Sequence, residues 1–275
     1  MYNRLSPKNF VIFRLIFLSL NIADKHKEQP ELLKSIALTD LKNILVLDIE
    51  TVSGYGDYDH LSDRFKKQWD RKAALLKNEE QLSPQALYYE RAAIYAEFGK
   101  IICIAAGIFT RLTDGQAGLR VKAFSDHDEK KVLLGFKELV DEKLDKDNLI
   151  LCAHNGKEFD FPYLCRRYLV NAIEIPAVLQ ISGKKPWEVQ HLDTMEMWKF
   201  GDRKSYTSLD LLASLFNIES SKEELDGSRV NSVYYETGEL DEIAEYCKQD
   251  VVVTANLYLK LNMKPVLEPD RVHII

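Results

Sequence analysis

Four short apolar runs constrain the fold of this chain most: ILVLDI at 44–49, GKIICIAAGIF at 99–109, LRVKAFS at 119–125 and NLILCAHN at 148–155. The first, second and fourth are nearly continuous in Val, Ile, Leu and Ala, the pattern of strands covered on both faces. The third alternates, as a strand with one covered face does. GQAG between the second and third supplies a turn. Beyond the third run, helical periodicity takes over. DEKKVLLGFKELVDEKL, 128–144, predicts a helix with Asp126 as its N-cap. A second helix begins over Phe161 to Tyr168, with Pro162 in its first turn, where proline is tolerated. VQHLDTMEMW, 189–198, contains a fifth strand. YTSLDLLASLFNI, 206–218, is an amphipathic helix capped by Ser205 or Thr207, and the last helix covers roughly 239–261. The order β-β-β-α-β-α-β-α-α predicts an α/β fold: one mixed five-stranded sheet, three antiparallel strands and then parallel strands, flanked by helices.

Between the first two strands, residues 53–98 form a long, charged, mostly helical insertion. Leu61, Phe65, Trp69 and Leu75 recur there at roughly helical spacing. Residues 39–265 read as one domain carrying this insertion, 266–275 as a C-terminal tail and 1–38 as an N-terminal extension to which we attach no function. FVIFRLIFLSL at 10–20 is broken by Arg14 and is shorter than the roughly 20 residues a spanning helix needs. NIADK after it makes a poor signal-peptide cleavage site, and we expect no membrane partner. A chain of 275 residues with 46% hydrophobic and 29% charged residues can bury a large core. Its net charge of −6 excludes a general polyanion binder but not local basic patches. Cys103, Cys152, Cys165 and Cys247 form no CxxC pair, and we read them as reduced core thiols of a cytoplasmic protein rather than a disulfide framework or zinc site.

Several carboxylates stand where burial should exclude them. Asp48 and Glu50 lie two apart in a strand and so share a face. Two acids on one face of an apolar strand are costly if buried unpaired, and make sense where cations bind. Taken alone, they could equally be surface acids paired with lysines. Asp160 sits at a loop-to-helix junction in HNGKEFDFPYL, where by itself it reads as a helix cap. Tyr246 and Asp250 in YCKQD are four apart on a helix and share a face, whereas Cys247 is expected to point away from it.

DIET after an apolar strand, N-x-x-x-F-D after a later one and Y-x-x-x-D on the final helix, in that order, resemble the three exonuclease motifs of the DEDD superfamily, in its DEDDy branch. The chain is similar over about residues 41–265 to predicted 3′–5′ exonucleases related to the proofreading domain of family-B DNA polymerases; EFGKIICIAAG, HLDTMEMWKFG and DGSRVNSVYYE also resemble segments of that group. The strand order fits the ribonuclease H-like architecture that the resemblance implies. It further implies that Asp48, Glu50, Asp160 and Asp250 hold two divalent metal ions, Mg²⁺ or Mn²⁺, which suit carboxylate and water oxygens. Tyr246 would orient the attacking water, since a phenol with an ordinary pKa of about 10 is a poor base at neutral pH. In the histidine branch a histidine stands five residues before the last aspartate; here that position is Glu245.

The implied activity is that of a stand-alone 3′–5′ exonuclease, releasing nucleoside 5′-monophosphates from a single-stranded 3′ end, DNA favoured over RNA. Residues 251–275 leave no room for an attached polymerase. An exoribonuclease, a catalytically silent nucleic-acid-binding module and a scaffold recruited through the insertion are the alternatives. Among lesser positions, Asn155 contacts substrate or ties its loop, Phe159 stacks on the terminal base or packs in the core, and Thr51 contacts the terminal nucleotide. His154 and Asp193 are read as structural. Basic clusters at 64–77, Arg166–Arg167, Lys184–Lys185 and Lys199/Arg203/Lys204 would track a phosphate backbone if they line one side of a cleft.

Overall fold

A computed structural model describes residues 41–202, 206–219 and 227–275. The extension at 1–38, its apolar run, Ser205 and the Arg203/Lys204 part of one basic cluster lie outside the described residues. The strands are β1 (Ile44–Ser53), β2 (Gly99–Arg111), β3 (Ala117–Ser125), β4 (Ile150–Ala153), β5 (Leu192–Asp193) and β6 (Val272–Ile274), in the order β5-β4-β1-β2-β3-β6. β1, β2 and β3 are antiparallel neighbours, while β4 on β1, β5 on β4 and β6 on β3 run parallel. This is the mixed, helix-flanked α/β sheet expected, with one strand more. The segment read as a C-terminal tail folds back, buries Leu267, and pairs Val272 with Leu119 on the β3 edge. A three-residue edge strand is too short to show a period.

β1 sits at the centre and its alternation divides the core. Leu45, Leu47 and Ile49 face α3 (Glu129–Glu138) and α4 (Asp160–Val170), meeting Val132, Leu133, Phe136, Phe161 and Leu164. Ile44 and Val46 face the long helix α7 (Leu240–Leu261), meeting Cys247, Val251, Ala255 and Leu259. Asp48 and Glu50 continue the even series, so the strand aims them at α7. Gly107 on β2 lets that helix come close: a Cβ there would stand 2.7 Å from Val251 Cγ1.

The insertion is helical, as expected, with α1 (Asp63–Ala73) and α2 (Pro84–Arg91) around Trp69, which is fully buried. Trp69 stacks edge-on against Tyr88 and Phe98, and its indole N–H donates to the Pro84 carbonyl. Of the four apolar residues at helical spacing, Leu61 and Trp69 enter this small core; Phe65 and Leu75 are exposed. α1 ends at Ala73, before Leu75 can turn inward. Two caps also shift. Asp128, not Asp126, caps α3, because Asp126 spends its carboxylate on the Asp128 N–H. Ser208 caps α6 (Leu209–Phe216), one residue beyond Thr207. The helix expected over 128–144 runs as α-helix to Glu138 and then as a wider turn over Leu139–Lys143.

Candidate active site

The pocket forms where β1, the start of α4 and the middle of α7 converge. Asp48 is half-buried, while Glu50, Asp160, Tyr246 and Asp250 are buried. The side-chain ends of Asp48, Glu50 and Cys247 lie within 4.8 Å of one another. A bulge between Glu50 and Thr51 leaves Ile102 as an extra residue on β2, the kind of irregularity that re-aims side chains beside active sites.

The electrostatics follow from this crowding. Burial, then repulsion from Asp250 and Asp160, holds the Asp48 carboxyl well above its usual range. Burial, then Asp48 and Asp250, does the same to Glu50. Burial pushes Asp160 up to about 7, with Asp193 and Asp250 adding repulsion; the N–H groups of Asp160 itself and Ile49 pull it down. Burial and the nearby Asp250, Glu50 and Asp48 raise the Tyr246 phenol far above its ordinary value, and its hydroxyl is hydrogen-bonded to Asp250. That phenol keeps its proton at any working pH.

Glu50 is 8% exposed, yet no hydrogen-bond donor or ion-pair partner reaches it among the described residues. Nor does any Lys or Arg among them pair with Asp48 or Asp160. A crowded set of carboxylates in which Glu50 meets no donor among the described residues is one that hard divalent cations satisfy. The residues present therefore fit divalent metal ions.

α4 and its approach loop are held from outside the pocket. Asp193 accepts from the Asn155 and Lys157 N–H groups at 3.0 and 3.1 Å and caps α5 (Thr194–Lys199) through Met195 and Glu196. This agrees with reading Asp193 as structural. His154 is likewise fixed, Nδ1 on the Thr194 hydroxyl and Nε2 on the Thr207 carbonyl, each at 2.9 Å. Burial lowers its pKa and keeps it neutral. Asp160 is the first residue of α4 rather than its cap, so its carboxylate is turned inward, to the Ile49 N–H. Buried Glu129 pins the far end of α4 through Arg167 at 2.6 and 2.8 Å, and also accepts from Asn171 Nδ2 and the Ile101 N–H.

The three expected substrate positions have distinct surroundings. Asn155 adopts φ 63°, and its Oδ1 is buried without a partner among the described residues. Phe159 is half-buried, tilted against Tyr163 at 5.4 Å. The Thr51 hydroxyl meets that of Tyr163, which itself donates to the Ala93 carbonyl.

Two neighbours of these residues escaped the sequence reading. Cys247 was expected to point away, but its Sγ lies 3.4 Å from Asp48 Oδ2. Ile243, Tyr246, Cys247, Asp250, Val251 and Thr254 are all buried. They form an i, i+3, i+4, i+7 stripe whose width, visible in the sequence, covers both residues. Asn231 receives the Ser53 N–H and hydroxyl on Oδ1 and donates to the Tyr89 carbonyl, tying the end of β1 to the insertion. It lies within DGSRVNSVYYE, a segment that resembles the family, but nothing in that segment singled out the asparagine.

The site thus sets Asp48 and Glu50 of the central strand against the start of α4 and the middle of α7 in a mixed α/β domain. Comparison gives the family: residues 94–272 match the predicted 3′-5′ exonucleases related to the exonuclease domain of PolB, and the chain belongs to that family. The matched segment holds Asp160, Tyr246 and Asp250; β1 with Asp48 and Glu50 precedes it. DNA polymerase 120R of Invertebrate iridescent virus 3 is 26% identical over 167 residues, 49% of this chain and 14% of that protein. The family B DNA polymerase of the hyperthermophilic archaeon Pyrobaculum calidifontis overlays with a TM-score of 0.47 at 17% identity, over 80% of this chain and 24% of the polymerase. The chain thus corresponds to a small part of each relative.

Proposed function

We propose that this protein is a DEDDy-type, metal-dependent 3′–5′ exonuclease acting on single-stranded DNA ends and releasing nucleoside 5′-monophosphates. The observation that carries this reading is the set of four converging carboxylates, with Glu50 buried and meeting no donor among the described residues. Asp48, Glu50, Asp160 and Asp250 would hold two divalent cations, Mg²⁺ or Mn²⁺. Such ions, when bound, supply an activated water and stabilise the leaving oxygen in an in-line displacement. The Tyr246 hydroxyl, protonated throughout, orients the water as a hydrogen-bonding group and not as a base. Asn155 offers its unpartnered Oδ1 to the substrate from the same loop that delivers Asp160. Phe159, half-buried beside it, would meet the terminal base with the part of its ring that is not packed on the core. Thr51, part-exposed and hydrogen-bonded to Tyr163, would contact the terminal nucleotide. The kinship with DNA polymerases supports DNA over RNA. Free thiols at Cys103, Cys152, Cys165 and Cys247 support a cytoplasmic setting. No helix among the described residues is long and apolar enough to cross a membrane.

The test is digestion of 3′- and 5′-labelled single-stranded DNA and RNA with Mg²⁺ or Mn²⁺, beside Asp48→Ala and Tyr246→Phe. Stepwise shortening from the 3′ end, abolished by Asp48→Ala and slowed by Tyr246→Phe, is the expected result. Preferential digestion of RNA would reassign the substrate. Intact polymers with every variant would leave a nucleic-acid-binding module in place of the enzyme.

A further inference from the structure

Cys247 has no task in the proposed reaction, yet its Sγ stands 3.4 Å from Asp48 Oδ2 and 3.5 Å from the Asp48 carbonyl oxygen. One ligand atom each from Asp48, Glu50 and Cys247 falls within 4.8 Å of the others. Tetrahedral zinc, with bonds of about 2.0–2.3 Å, needs its ligands roughly 3.5 Å apart, and Cys247 Sγ and Asp48 Oδ2 already stand at 3.4 Å. Glu50 is 8% exposed and, among the described residues, has no donor to give up on binding a cation. Asp48 is the partly exposed member and marks the way in.

The donor set changes which metals the pocket prefers. Magnesium and manganese are hard ions that take carboxylate and water oxygens and leave a thiol alone; a thiolate ligand selects zinc. We propose that Asp48, Glu50 and Cys247 form a zinc site inside the carboxylate pocket, anchored by the Cys247 sulfur and exclusive of the all-oxygen arrangement. As the sulfur–zinc bond forms, the S–H bond breaks and the proton leaves to solvent, with no change in oxidation state. Three protein ligands leave the fourth zinc position to water, the count typical of an open site. Zinc is then an inhibitor of this protein where magnesium is its activator. That consequence rests on the proposed exonuclease activity, whereas the binding itself does not.

The experiment uses the full chain, stripped of metal and titrated with Co²⁺, a spectroscopic stand-in for zinc. Wild type should develop thiolate-to-cobalt charge-transfer absorption in the near ultraviolet, displaced by one equivalent of Zn²⁺ and resistant to excess Mg²⁺. C247S should lose this absorption while its circular dichroism stays that of wild type; C165S, whose thiol lies against the Leu179 carbonyl, should keep it. D48N should weaken cobalt binding. The proposal is overturned by a wild-type protein without the band, by a band that survives C247S, or by cobalt affinity unchanged in D48N. In the digestion assay, the zinc concentration that halves the magnesium-supported rate should rise in C247S; an equal value in both proteins also overturns it. A cobalt band in a protein that digests nothing would sustain this site and remove the nuclease reading.

Discussion

Glu50 and Glu129 are buried to nearly the same degree, 8% and 7% exposed, and they live in opposite surroundings. Glu129 receives a backbone N–H, an amide and two guanidinium nitrogens. Among the described residues, Glu50 receives nothing and sits beside Asp48. The first is a charge the protein has neutralised for itself, and it fixes α4 against β2. The second is a charge whose neutralisation must come from outside. The lesson is that burial alone does not separate a structural acid from a functional one; the count of donors does.

The largest effect should sharpen that contrast. Asp250→Ala or Glu50→Gln should lower metal-dependent digestion on the order of 10³-fold or more, the several kcal/mol a coordinated cation contributes to the transition state. Glu129→Ala should leave the acids of the pocket in place but destabilise the fold by about 3–5 kcal/mol, because Arg167 is left buried and uncompensated. Urea denaturation reads this, and Glu50→Gln in the same experiment, without metal, should make the protein more stable than wild type. If Glu50→Gln instead destabilised as strongly as Glu129→Ala, the two acids would be alike and the comparison would fail.

Tyr246→Phe should slow digestion by about 10–100-fold, the size of one lost orienting hydrogen bond to a charged group, with little change in substrate affinity. A larger loss in affinity than in turnover would assign the phenol to binding instead. The smallest effect is in pH. Burial raises the Asp160 carboxyl from the usual carboxylate range to about 7 in the folded protein. A raised carboxyl favours the fold below its unfolded pKa and loses that contribution as pH rises through the folded value. The metal-free protein should therefore melt lower as pH is raised from about 4 to 7, and Mn²⁺ should reverse the trend. Asp160→Asn should flatten the dependence.

Much of this was readable in the chain. Alternation along ILVLDIET placed Asp48 and Glu50 on one face, and period 3.6 joined Tyr246 to Asp250, because both rules are local. The unreadable parts depend on encounters across the chain. Nothing near Glu129 announces Arg167, 38 residues away. Cys247 was misplaced because a helix lying on a sheet buries a broad stripe, not the single line that one i, i+4 pair defines. The insertion's edges failed for a similar reason: Leu75 keeps the spacing, but the helix stops before it. Val272–Ile274 is too short to carry a period, and its partner is more than a hundred residues back.

That last strand has a consequence for handling the protein. It covers Leu119 to Val121, so the border of β3 is closed by only three residues. Shortening the chain before Val272 would bare a row of unpaired backbone groups beside apolar Leu119 and Val121, an open template for a second molecule to add a strand. A trimmed preparation should then gain mass in light scattering over days of storage, while its carboxylate pocket, on the opposite side of β2, stays intact.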